Sequence, residues 1–170
     1  MFTYNPMHVG REVRRNMNEV EELRYLVLAA QREGNRMLAQ GLRPLGLTPS
    51  QAEVLCVLQE HQPLSLMELG GLLVCETGSP SRLVRGLVEA GLVERTPSEA
   101  DKRVVTLSLT HKGEEAASGI AEVETVLHDT ISEAFDEDEL SGTLAALRRL
   151  VAGRRAGEAL ARRSGLSRLP

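Results

Sequence analysis

Residues 79–109 read SPSRLVRGLVEAGLVERTPSEADKRVVTLSL, and this stretch decides the fold. Ser79-Pro80 has the form of a helix start, a capping residue followed by a proline whose missing N–H would be unpaired there anyway. Leu83, Val84, Leu87 and Val88 then recur at helical spacing until Gly91 stops the pattern. Beyond Gly91 the period changes from helical to extended. Leu92-Val93-Glu94-Arg95-Thr96 and Val104-Val105-Thr106-Leu107-Ser108-Leu109 are β-prone, the second alternating with a period of two. The polar residues 97–103 between them predict a hairpin with an exposed tip.

Working upstream, Ser65-Leu66-Met67-Glu68 has the capping-box form and opens a short helix through Leu69, Leu72 and Leu73. Two short helices joined by a tight turn, the second polar on its outer face, fit a helix-turn-helix. Before them, Thr48-Pro49 starts a helix with the stripe Ala52, Leu55 and Leu58, ended by His61-Gln62-Pro63. A long first helix runs from Glu19 to about Gln40, where Gly41, Pro44 and Gly46 break it.

Downstream of the hairpin, Ala116, Ile120, Val123, Leu127, Ile131 and Ala134 keep a helical period. A further helix begins at Asp136 to Glu139 and carries Leu140, Leu144, Leu147 and Val151. These helices exceed what a winged-helix core needs. Their stripes are expected to pair with a second copy of the chain through Leu23 and Val27, then Ile120, Val123 and Leu127, then Leu144 and Leu147. The expected organisation is a flexible lead-in at 1–18, a dimerisation helix at 19–46, a DNA-binding domain at 47–109 and C-terminal dimerisation helices at 110–165. The fold class is mainly α with a small β-hairpin wing.

Composition narrows the function. The 170 residues carry a net charge of −4, but its distribution is uneven. Residues 98–140 hold twelve acids against three bases, whereas residues 148–168 hold seven arginines and one acid, Glu158. Aromatic residues are 2% of the chain with no Trp, which leaves almost nothing on which single-stranded bases would stack. No apolar run approaches the ~20 residues of a bilayer span, and the N-terminus lacks a signal-peptide layout, so a cytoplasmic location and no membrane partner are expected.

The order of elements, with Gly91-Leu92-Val93-Glu94-Arg95 and then Asp101-Lys102-Arg103-Val104-Val105-Thr106-Leu107-Ser108-Leu109-Thr110, resembles the MarR family of bacterial regulators. The match runs from about Leu23 to Val151, and its most specific part is the wing. The resemblance implies a homodimer of triangular outline with one winged helix-turn-helix per subunit. It also implies a ligand response in a cleft between the dimer helices and the DNA-binding lobe, so a small phenolic or lipophilic effector is a candidate partner. The implied function is a regulator, most simply a repressor, of double-stranded DNA at a pseudo-palindrome.

On that reading the second helix of the helix-turn-helix enters the major groove. Ser79, Ser81, Arg82 and Arg85 share its polar surface, and an arginine there can contact guanine bidentately. In the wing, Arg103 resembles the family arginine that enters the minor groove, with Asp101 orienting it and Lys102 meeting phosphate. Arg95 on the first wing strand joins the DNA-binding set. The bland alternatives are a solvated helix face and a charged hairpin tip kept soluble. Glu94, Glu99 and Asp101 depart from the family pattern by giving the wing acidic company, and Pro80 stands where the family often has a small β-branched residue.

No catalytic or metal constellation is apparent, and no cofactor is expected. His8, His61, His111 and His128 are scattered, and Cys56 and Cys75 form no close pair. Cys75 precedes the recognition helix, so a redox response stands as an alternative to a small buried side chain. A winged-helix protein-interaction module that does not bind DNA is the other alternative. The arginine pairs at 148–149, 154–155 and 162–163 recur as on one helical face, open to neutralising the acidic fifth helix, reaching DNA flanks or simply being solvated.

Overall fold

The computed structural model describes residues 17–75, 79–97 and 104–165. In order, the elements are α1 (Glu19–Gly41), a 3-10 turn (Arg43–Leu45), α2 (Pro49–His61), β1 (Leu64–Ser65), α3 (Leu66–Leu72), α4 (Pro80–Glu89), β2 (Val93–Pro97), β3 (Val105–Leu109), α5 (His111–Glu133), α6 (Glu137–Val151) and α7 (Arg155–Arg163). The chain divides into two units, residues 1–33 and 34–170. In the first, α1 carries Val20, Leu23, Leu26 and Val27 as exposed side chains. The lead-in expected at 1–18 lies outside the described residues as far as residue 16.

The core of the second unit forms around α2. Ala52, Val54, Leu55, Val57 and Leu58 are all buried, so this helix is covered by α3, α4, α5 and β3 together. Its start is the Thr48 cap with proline in the first turn, completed by Gln51, which returns its side chain to the Thr48 amide at 2.9 Å. Ser65 and Glu68 make the same reciprocal pair at α3, and Asp136 and Glu139 at α6. Each such box satisfies two helix-end N–H groups that no carbonyl within the helix can reach. Glu68 gains from this, since the Ser65 hydrogen bonds hold its carboxyl below the usual range.

The sheet is antiparallel, in the order β1-β3-β2. β2 and β3 form the expected hairpin, Val93 opposite Leu109 and Pro97 opposite Val105. Val93, Leu107 and Leu109 turn inward and are buried. β1 was not legible in the sequence, because two residues between Pro63 and a helix cap cannot display a period. It pairs Leu64 with Leu107. The Gln62 side chain accepts from the Leu109 amide at 2.6 Å and ties the end of α2 to the same strand.

Four points of the sequence reading are corrected. Ile120 is fully buried in this chain's own core, so it does not belong to a stripe left for a second copy. The C-terminal arginines do not share one helical face, because the helix breaks after α6, at Gly153 with φ 67, and restarts as α7. Arg163 pairs with Glu53 of α2 at 3.2 Å, not with the acids of α5. The connection from α3 to α4 spans residues 73–79 and is longer than a tight turn. No helix among the described residues is long and apolar enough to cross a membrane.

Candidate nucleic-acid interface

α4 has two faces set by its sequence. Val84 and Leu87 are fully buried against the core, while Ser81, Arg82, Arg85 and Glu89 are exposed on the opposite side. Ser79 stands at the N-cap, but its hydroxyl is hydrogen-bonded to that of Ser81 and does not cap the helix. No acid lies in the first turn, so the positive end of the helix dipole and Arg82 act in the same sense on an approaching anion. Arg85 has an acidic neighbour one turn on: its Nε is 3.9 Å from Glu89, with both side chains about two-thirds exposed or more. A pair so loose and so wet leaves the guanidinium available to a stronger acceptor.

Arg95 lies on β2, exposed, in register with Leu107 on β3. Glu94 beside it is exposed as well. Thr96 and Thr106 hydrogen-bond across the hairpin just before the strands leave for the tip. Asp101, Lys102 and Arg103, the wing residues singled out from the sequence, lie outside the described residues.

The C-terminal end of α4, which the sequence placed at Gly91, is fixed by contacts with the start of α5 that the sequence reading missed. Gly91 takes φ 71, which suits a residue without a Cβ, and Leu92 turns back to donate to Leu87 O at 2.9 Å. Thr110 donates its hydroxyl to Gly91 O at 2.7 Å and accepts from the Gly113 amide as the cap of α5. Gly113 allows α5 to start directly against the Leu92 carbonyl: a Cβ there would lie 2.0 Å from that oxygen. Lys112 donates to Ala90 O at 3.0 Å. The Leu-Thr before the fifth helix was the available signal, though spacing alone does not reveal what Thr110 and Lys112 grip.

Both cysteines are half-buried thiols. The Cys56 thiol points to Glu124 Oε1 at 4.0 Å, and burial followed by that carboxylate pushes its pKa up to about 12. Among the described residues no three His, Cys, Asp or Glu side chains converge as a metal site would require.

An outward arginine-bearing helix preceded by a shorter helix and followed by a β-hairpin is the geometry of a winged helix. Residues 47–113 match the family model described as a winged helix DNA-binding domain. The multiple antibiotic resistance protein MarR of Escherichia coli strain K12 is 34% identical over 96 residues, 56% of this chain and 67% of that protein. The organic hydroperoxide resistance transcriptional regulator of Bacillus subtilis strain 168 is 31% identical over 98 residues, 58% of this chain and 67% of that one. Among solved structures, a mutant MarR from E. coli complexed with operator DNA superposes with a TM-score of 0.70 at 28% identity, covering 80% of this chain and 98% of that one.

The chain belongs to the MarR family of transcriptional regulators. Its family is one of DNA-binding regulators and not of enzymes, which favours duplex DNA over an interaction module with protein partners alone.

Proposed function

We propose that this chain is a homodimeric repressor that places its two α4 helices in successive major grooves of a pseudo-palindromic operator. The observation that carries the reading is the division of α4, with Ser81, Arg82 and Arg85 outward and Val84 and Leu87 locked inward. Arg82 and Arg85 contact base edges or phosphate, Ser79 and Ser81 contact phosphate, and Arg95, Lys102 and Arg103 follow the backbone and the minor groove, with Asp101 orienting Arg103. Two such helices meet one face of B-DNA when their half-sites lie ~34–36 Å apart.

Dimerisation is supported by apolar side chains left outside the chain's own core. Leu144, Leu147 and Leu150 of α6 are 41%, 38% and 51% exposed, and Leu23 and Val27 of α1 are exposed in their own unit. Residues 19–46 and 110–165, apart from Ile120 and α7, which pack within this chain, then serve as the dimerisation segments around the DNA-binding residues 47–109, with Val123 and Leu127 half-buried on α5. A small-molecule effector that changes the separation of the two α4 helices releases the DNA, because a ligand shifts an equilibrium only by binding its two states unequally. Such a regulator works in the cytoplasm, on the cell's duplex DNA.

The test is duplex binding at several salt concentrations, using DNA enriched from random duplexes, with mass measured in solution. A dimer whose affinity falls with salt and is weakened by Arg82→Ala and Arg103→Ala is expected. A monomer, or binding indifferent to both arginines, overturns the reading.

A further inference from the structure

Glu53 gathers donors from two segments far from it in the sequence. It stands on α2 with its side chain 15% exposed and meets three donors from distant parts of the chain. Its Oε1 accepts from the Val74 amide at 2.7 Å and from Arg163 Nη1 at 3.2 Å, and its Oε2 accepts from the Cys75 amide at 3.0 Å. Val74 and Cys75 belong to the connection between α3 and α4. Arg163 is in the last turn of α7. Its neighbour Arg162 donates to Gly71 O, in the last turn of α3, at 3.0 Å, and is itself steadied by Glu158 one turn earlier at 3.4 Å. Ala159, between them on α7, is buried.

We infer that α7 is a strap across the helix-turn-helix, and that Glu53, Arg162 and Arg163 are positioning residues that set how α4 is presented. Arg162 supplies a donor to a carbonyl at the end of α3 that the helix itself leaves without a partner. Arg163 neutralises the carboxylate that gathers the two amides of the connection. Hydrogen bonds to an ionised group are short and strong, and this one holds Val74 and Cys75 in the connection that leads to the helix carrying Arg82 and Arg85. The consequence is that DNA affinity depends on a C-terminal helix that need not touch DNA. The inference rests on α4 being the recognition helix.

The test uses the full chain as wild type, Glu53→Gln, Arg163→Gln, the double variant and Arg163→Lys, with duplex enriched by the wild type as probe. Each single neutral variant is expected to bind about three- to tenfold more weakly, and the double variant no more weakly than the weaker single, as for residues acting through one contact. Arg163→Lys recovers part of the loss. The slope of log affinity against log salt stays at the wild-type value, whereas a phosphate-contacting arginine reduces it by about one when removed. Without DNA, the Val74 and Cys75 amides exchange hydrogen faster in Arg163→Gln than in wild type.

Multiplying losses, tighter binding by Glu53→Gln, a reduced slope for Arg163→Gln or unchanged amide exchange would overturn the strap. If Arg82→Ala leaves binding unaltered, the recognition-helix reading fails instead, and the exchange measurement still decides whether α7 holds the connection.

Discussion

Lys112 Nζ donates to the carbonyl oxygen of Ala90 at 3.0 Å, so the first turn of α5 grips the last turn of α4. A cation at a helix C-terminus meets both unpartnered carbonyls and the negative end of the helix dipole, an effect of about 0.3–1 kcal/mol at an exposed site. Lys112→Met is expected to lower unfolding free energy by about that amount in urea titrations. It should weaken DNA binding without altering the salt slope. A reduced slope would mean that Lys112 itself meets phosphate.

Gly113 makes a stronger demand on the same junction. A Cβ at this position meets the Leu92 carbonyl oxygen at 2.0 Å, and backbone cannot swing aside as a side chain does. Gly113→Ala is expected to destabilise by about 1–3 kcal/mol, the range for forcing atoms into a packed site. Gly119 offers the comparison, since its Cβ would meet only the end of Leu45 at 3.1 Å. Gly119→Ala should be tolerated far better, and equal urea midpoints for the two variants would sink the argument.

The contrast between these glycines shows where the sequence is readable and where it is not. Capping residues mark the starts of α2 and α3, with proline added at α2, because the chemistry is local, with donor and acceptor three residues apart. The two faces of α4 follow from spacing for the same reason. Ile120 keeps the period of Val123 and Leu127 yet is fully buried, since periodicity names a face without saying whether this chain or another covers it. The Arg163–Glu53 pair joins positions 110 apart, and none of the roles that charge left open for the C-terminal arginines named α2 as the partner. The break at Gly153 was hidden because arginine pairs on both sides imitate one continuous surface.

Arg85 and Glu89 share the exposed face of α4, 3.9 Å apart. A surface pair of this kind contributes little to stability, about 0.2–1 kcal/mol at most, but with α4 as the proposed recognition helix Glu89 would place a negative charge beside the DNA. Glu89→Gln is therefore expected to raise duplex affinity several-fold at low salt, with the gain shrinking as salt screens it. Unfolding should shift by less than about 0.5 kcal/mol, as for ordinary surface changes. Weaker binding by Glu89→Gln would mean that the carboxylate holds Arg85 in its binding geometry.

Cys56 supplies a prediction in pH. Burial, then the Glu124 carboxylate, raises its thiol pKa from 9.0 to about 12, while nearby Arg163 opposes the shift. The nucleophile is the thiolate, so in a Cys75→Ala background iodoacetamide should label native Cys56 far more slowly than the unfolded chain at pH 8. Linkage fixes the sign for stability. The folded chain holds its proton after the unfolded one has released it, so the contribution is fully present below pH 9 and is lost progressively from there towards 12. Cys56→Ala should show a shallower fall of stability with pH across that window than the parent, whatever the variant's stability at pH 7. Parallel curves would show that the thiol titrates alike in both states and that the Glu124 contact does not govern it.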